Sequence, residues 1–108
     1  MNNLNSVLLE GTCVSKPVVE AVADSQKALC SFVVESVRNE RGGDKEVSSF
    51  EIETYGRLAG VVGQTITEGR GLRIVGRMKQ IRWKDEAGEE QTAIRVIAEH
   101  IEVKPGKA

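Results

Sequence analysis

The sequence predicts a small all-β protein, a five-stranded Greek-key barrel with one short helix between the third and fourth strands. Two observations support this fold class. Runs of alternating apolar and polar residues occur in the order three strands, one helix, two strands. No repeat and no linker divides the 108 residues, a length that suits one domain with its own core. A helix at this point in the order is expected to plug one end of the barrel.

The first three strands are expected at residues 4–15, 28–37 and 48–55. Gly11 interrupts the first of them and is expected to mark a bulge or a bend, as glycine inside a strand often does. The segment between the first two strands is interpreted as a variable connection. A charged loop centred on the Gly42-Gly43 pair should join the second and third strands as a hairpin.

Alternation assigns the faces of the second and third strands. In the second strand, Cys30, Phe32 and Val34 share one face. In the third, Phe50 and Ile52 share one face, and the opposite face carries Glu51, Glu53 and Tyr55. Phe32 and Phe50 are therefore expected in the core or in a subunit interface.

One helix is expected over residues 57–66, where apolar residues repeat at helical spacing. Its buried stripe is predicted to consist of Leu58, Val61, Val62, Thr65 and Ile66. The fourth strand covers residues 72–83, with Leu72, Ile74 and Met78 facing inward, and the fifth covers residues 92–103. The domain is thus expected to span residues 1–103, followed by a short polar tail at 104–108.

Charge is distributed unevenly along the chain. The net charge is only −1, which argues against binding to a polyanion through overall charge. Between Gly69 and Lys84, however, the chain has six cations and no anion: Arg70, Arg73, Arg77, Lys79, Arg82 and Lys84. Asp85 to Glu102 carries six anions and one cation, Arg95. The near-neutral sum conceals a basic stripe, although alternating cations on a solvated strand face are common in themselves.

Catalysis, a metal centre and a cofactor are not expected. Cys13 and Cys30 lie in separate apolar runs without zinc-ligand spacing, and His100 is the only histidine. Both thiols are expected to be buried in a reducing cytoplasm. The glutamates of the third strand are interpreted as solvated surface. The chain also shows no cleavable signal peptide and no apolar run long enough to span a membrane.

Five short segments, in order, resemble the bacterial single-stranded DNA-binding protein family. They are "MNNLNSVLLEG", "ALCSF", "YGRLAG", "LRIVGRMKQIRW" and "KDEAG", and the resemblance runs from Asn2 to about Val103. It implies an oligonucleotide-binding (OB) barrel, usually in a homotetramer or a dimer of dimers. It also implies that the protein coats single-stranded DNA during replication, repair and recombination.

The resemblance assigns roles to individual residues. Trp83 is similar to the family's stacking tryptophan, and Tyr55 to the stacking aromatic at the end of the third strand. Arg57 stands where the family often has a cation. The remaining candidates for the DNA-binding groove are Arg73, Arg77, Lys79, Arg82 and Lys84. The alternative for both rings is structural cover: a tryptophan over the end of the barrel, or a tyrosine over a hydrophobic edge.

The chain also departs from the family pattern. Ser49 stands where an aromatic is common, the loop at residues 38–46 has no aromatic, and glutamates occupy the outward face of the third strand. Weaker and more salt-sensitive binding than in a typical member is therefore expected. The family's long acidic C-terminal tail does not follow residue 108, which suggests a tail-less or truncated member. An alternative is a repurposed OB barrel that acts mainly through contacts with replication or repair proteins.

Overall fold

The computed structural model describes residues 1–21 and 27–105. Within these ranges it contains six strands, one α-helix and one 3-10 turn at Arg41–Gly43. The elements are β1 (Val7–Cys13), β2 (Val18–Ala21), β3 (Ala28–Asn39), β4 (Lys45–Tyr55), α1 (Arg57–Thr65), β5 (Gly71–Lys84) and β6 (Glu90–Val103). Strands one to five of the sequence prediction correspond to β1, β3, β4, β5 and β6.

The sheet closes on itself into a five-stranded barrel. Its strand order is β1-β5-β6-β4-β3-β2, and β1 also pairs with β3 through Cys13↔Val34 and Thr12↔Glu35. This second pairing joins the ends of the five-strand series. The predicted all-β barrel with a helix between its third and fourth strands is confirmed.

The short strand β2 was not expected. It pairs antiparallel with the start of β3, from Val18↔Ser31 to Ala21↔Ala28, and lies at the edge of the sheet. All four of its residues are exposed, so it has no buried face for an alternating pattern to show. The rest of the predicted connection, residues 22–26, lies outside the described residues.

Strands β5 and β6 form a long hairpin whose outer part projects from the barrel. They pair from Leu72↔Val103 to Lys84↔Glu90. Strand β1 accompanies β5 only as far as Gly76, and β4 pairs with β6 only at Val96 and Ile97. Beyond these points no other strand of the described residues pairs with β5 or β6, so the hairpin forms an exposed arm.

The core contains most of the residues that the alternation predicted. Cys13, Cys30, Phe32, Val34, Ile52, Leu72 and Ile74 are buried together. Both cysteines are free thiols, and burial raises the pKa of each. The β5–β6 register slips between Val75 and Gly76, so no residue of β5 lies directly opposite Glu99. The slip allows Ala98 and Ile101 both to pack on the core, although they are three residues apart.

The inward assignment of Met78 was wrong. Phe32 is in the core, but Met78 is 52% exposed and Phe50 is also exposed, so for Phe50 the alternative of a subunit interface stays a prediction. Both have the inward phase, yet they lie at the open rim of the barrel. There they line a shallow apolar hollow with Val7, Leu9 and Ile94.

The buried stripe of the helix was only partly predicted. Val62 and Ile66 are buried and Leu58 is half-buried, but Val61 and Thr65 are exposed. Ala59 is fully buried in their place. The helix packs on β2, β3 and β4 through one narrow side, for which the small alanine is well placed. Thr65 donates its hydroxyl hydrogen to the Val61 carbonyl at 2.7 Å, so it needs no tertiary partner.

Gly11 allows a close approach rather than marking a bulge. A Cβ atom built on it would overlap the carbonyl oxygen of Glu35 and lie 2.6 Å from Cγ1 of Val34. These atoms belong to β3, at the point where β1 closes the barrel. The absence of a side chain at Gly11 is therefore part of how the barrel closes.

Candidate nucleic-acid interface

One outer face of the sheet runs without interruption across β4, β6 and β5. On β5 it carries Arg77, Lys79, Ile81 and Trp83, whose partners on β6 are Ile97, Arg95, Ala93 and Gln91. The parallel pairing of β4 with β6 places Glu53 opposite Ile97, and Tyr55 follows two residues later on the same face. We call this surface the arm face. It brings together the two candidate stacking rings and several of the cations.

Trp83 lies near the outer end of the arm, opposite Gln91. Its side chain is 46% exposed, so the ring is not a core residue. Strand alternation puts it on the same side as Lys79, at a distance of about 13 Å along the strand. An exposed indole on the same strand face as cations provides a flat surface on which a base can stack.

The basic stripe is divided between the two faces of the arm. Arg77 and Lys79 lie on the arm face with Trp83, whereas alternation turns Arg82 and Lys84 to the other side. Arg82 donates there to the side-chain oxygen of Gln80 at 2.7 Å. Among the described residues, Lys79 has no acidic group within 4.0 Å, in contrast to Arg77, which lies 3.8 Å from Glu99.

Two other candidates lie apart from the cluster of Trp83, Lys79 and Arg77, although Arg73 has the same strand phase on β5. The guanidinium of Arg73 contacts the carboxylate of Glu10 on β1 at 2.8 Å, and Lys104 lies 3.6 Å from the same oxygen. These two cations hold the pKa of Glu10 below its ordinary value. Arg57 is exposed at the first position of α1, two residues after Tyr55. Their roles in binding DNA stay predictions.

The other end of the arm face contains a buried carboxylate. Glu53 is only 5% exposed, and each of its oxygens has a hydrogen-bond donor. The Tyr55 hydroxyl donates to Oε1 at 3.1 Å, and Nη1 of Arg95 donates to Oε2 at 2.7 Å. The Nε of Arg95 donates in turn to Glu51 at 3.0 Å. The interpretation of the third-strand glutamates as solvated surface is therefore wrong for Glu53.

This network affects the acidity of its members. Burial raises the pKa of Tyr55 above its ordinary value of 10.0, and the hydrogen bond to Glu53 raises it further. Desolvation works to lower the pKa of Arg95, but the hydrogen bonds and charges of Glu53 and Glu51 outweigh it, and the net shift is upward. At neutral pH the phenol is thus neutral and the guanidinium charged.

The raised pKa of Tyr55 predicts a loss of stability at alkaline pH. The unfolded chain ionises this phenol at its ordinary pKa, whereas the folded chain resists ionisation. The stabilising contribution is therefore complete below about pH 10 and is lost as the pH rises through the folded pKa. Urea unfolding between about pH 8 and pH 11 should show a steeper decline for the wild type than for Tyr55→Phe. Equal slopes for the two proteins would contradict this role of the hydroxyl.

The role of Arg95 was not predicted from the sequence. Arg95 is a lone cation in an acidic segment, yet it lies on the arm face and binds both third-strand glutamates. Glu53 and Arg95 are 42 residues apart in the chain, and they meet because β4 and β6 run parallel side by side. The unbalanced cation in an acidic strand was the one sequence signal available.

Other kinds of site find no support in the described residues. In residues 1–21 and 27–105, no group of three or more histidine, cysteine or acidic side chains is arranged to hold a metal ion. In that same part of the chain, no helix is long and apolar enough to cross a membrane.

Comparison with known proteins identifies the family. Residues 4–104 match the model of the single-strand binding protein family. The chain belongs to this family. The match includes the whole barrel and the arm, and with them every candidate site residue.

Curated relatives and solved structures agree with this assignment. A single-stranded DNA-binding protein from Treponema pallidum is 27% identical over 106 residues, covering 95% of this chain and 59% of the relative. One from Thermotoga maritima is 27% identical over 101 residues, covering 91% and 72%. The crystal structure of the wild-type protein from Thermus aquaticus superposes with a TM-score of 0.81 at 22% identity, covering 96% of this chain and 52% of that one. It shows a shared fold, and this chain spans about half to six-tenths of the length of several of these proteins.

Proposed function

We propose that this protein binds single-stranded DNA without sequence preference and serves in DNA replication, repair or recombination. The observation that carries the proposal is the arm face itself. It presents Trp83 half-exposed on the same strand face as Arg77 and Lys79, with Tyr55 at its far end. Membership of the single-strand binding family supports the same substrate.

In the mechanism that we infer, aromatic rings bind the bases and cations bind the phosphates. Every base has a flat face, so stacking on Trp83 and Tyr55 is tolerant of sequence. Lys79 and Arg77 are placed between the two rings along the sheet, where phosphates of a bound strand would pass. Arg57, at the start of the helix, and Arg82 and Lys84, on the other side of the arm, are further candidates for phosphates at the edges of this path. This is a binding role without a chemical step.

The acidic groups on the arm face weaken this proposal less than the sequence suggested. Glu51 and Glu53 would repel phosphate if they were free, but Arg95 pairs with both. The three charges sum to −1 rather than −2, and Arg77 and Lys79 are nearby on β5. We therefore favour DNA binding over a barrel that acts only through protein partners.

We infer further that the protein acts as a homo-oligomer, a tetramer or a dimer. Along Val7–Gly11, β1 pairs with β5 on one side, and within the described part of the chain no strand covers its other edge. Unpaired strand edges are ready sites for pairing with another chain. We propose replication or repair proteins as additional partners.

The first test is a titration with oligothymidine, followed by the fluorescence of Trp83, the only tryptophan. Strong quenching is expected at low salt, because a stacked base contacts the indole directly. Salt should reverse it, with a slope of about −0.7 in log K against log salt for each phosphate contacted. Absence of quenching at low salt would overturn the stacking proposal and favour structural cover for Trp83.

A further inference from the structure

We propose that Arg95 is a phosphate ligand of the arm face and that Glu51 is its displaceable counter-ion. This inference rests on the proposed function, since the phosphate is that of bound single-stranded DNA. Arg95 lies in a groove of about 400 Å³ that is also lined by Lys16, Val18 and Glu20 near or on β2. The groove reaches the arm face at Arg95, whose register partner on the neighbouring strand β5 is Lys79.

The two acidic partners of Arg95 differ sharply in burial. Glu53 holds Nη1 at 2.7 Å, and its side chain is 6% exposed. Glu51 holds Nε at 3.0 Å, and its side chain is 61% exposed. A buried ion pair is costly to break, because it leaves an uncompensated charge away from water. An exposed pair contributes little, so its partner can be exchanged.

The buried pair with Glu53 therefore fixes the guanidinium in position, and the exposed contact with Glu51 can be exchanged. Glu53 keeps Arg95 in place, and Glu53 is itself held by the hydroxyl of Tyr55. When a strand of DNA stacks on Tyr55, an adjacent phosphate oxygen can take the position of the Glu51 carboxylate. Guanidinium groups suit this exchange, since their planar donors match carboxylate and phosphate alike.

The exchange also explains why glutamates are tolerated on a face that meets DNA. In the free protein, the charge of Glu51 is balanced in part by Arg95, whose partner across the β5–β6 pair is Lys79. In the complex, Glu51 is released to water. The carboxylate thus lowers the affinity moderately rather than blocking the groove.

The test compares two single carboxylate removals. Glu51→Gln should tighten binding of oligothymidine by about two- to fivefold at low salt, because the competing ion pair is lost. Glu40→Gln removes the same charge from an exposed pair with Arg38, outside the groove, and reports the effect of net charge alone. Both variants are titrated with oligothymidine at several salt concentrations, and binding is followed by the fluorescence of Trp83. An equal gain in the two variants would overturn the role of Arg95.

A second variant tests Arg95 directly. Arg95→Met should reduce the magnitude of the salt slope by about 0.7, as expected for one lost phosphate contact. An unchanged slope in a folded variant would overturn the proposal. If thermal unfolding shows that Arg95→Met does not fold, the comparison of Glu51→Gln with Glu40→Gln decides.

The two proposals fail in different ways. If the wild type shows no quenching by oligothymidine, the proposed function fails. If the wild type binds and the two carboxylate variants behave alike, only the assignment of Arg95 fails.

Discussion

Replacing Trp83 with alanine should lower the affinity for single-stranded DNA by roughly 5- to 150-fold. This range corresponds to about 1–3 kcal/mol for one base stacked on one aromatic ring. The indole is half-exposed near the end of the arm, so its removal leaves no cavity in the core. The fold should therefore be preserved. Because the variant has no tryptophan, binding is best followed by the fluorescence anisotropy of a labelled oligothymidine.

Two control variants make the result specific. Trp83→Phe keeps a flat ring and should retain most of the affinity. Phe50→Ala also removes an exposed ring from the sheet, but Phe50 has the opposite phase on β4 and lies in the apolar hollow at the rim. It should leave the affinity close to that of the wild type. Equal losses of affinity for Trp83→Ala and Phe50→Ala would mean that the ring of Trp83 supports the structure of the binding surface and does not stack on bases.

Replacing Gly76 with alanine should destabilise the protein by roughly 3 kcal/mol, at the upper end of what overpacking costs. Gly76 is buried beside the register slip that separates the barrel from the arm. A Cβ atom there would overlap the carbonyl oxygen of Ile97 and lie 2.9 Å from its carbonyl carbon. Both atoms belong to the backbone of β6, so no side-chain rotation relieves the contact. Urea unfolding measures the effect as a lower free energy of unfolding.

The matched control for this substitution is in the helix. At Gly60 an added Cβ meets nothing within 4 Å, and alanine favours the helical conformation. Gly60→Ala should thus stabilise the protein by about 0.5–1 kcal/mol. Opposite signs for the two glycines are the expected outcome. A neutral Gly76→Ala would show that the two strands can separate locally without cost.

The local sequence pattern was sufficient for the elements and for part of the interface. Alternation in β3 and β4 gave the burial of Phe32 and Ile52, because a strand with one face in the core repeats every two residues. The exposure of Trp83 could be expected from its position between two cations. The burial of Ala59 in place of Val61 could not be expected, because valine is more hydrophobic than alanine. The close contact between the helix and the strands favours the smaller side chain.

The sequence by itself determined that this chain forms a small barrel with an exposed tryptophan near a cluster of cations. These features depend on neighbours one to four residues apart, and such local spacings are visible in the sequence. Only the tertiary structure decided which cations share a face with Trp83, that Glu53 is buried, and that Arg95 binds it. Those outcomes depend on the parallel pairing of β4 with β6 and on where the arm leaves the barrel. Contacts between residues 42 positions apart are set by the packing of the whole sheet, and no local pattern records them.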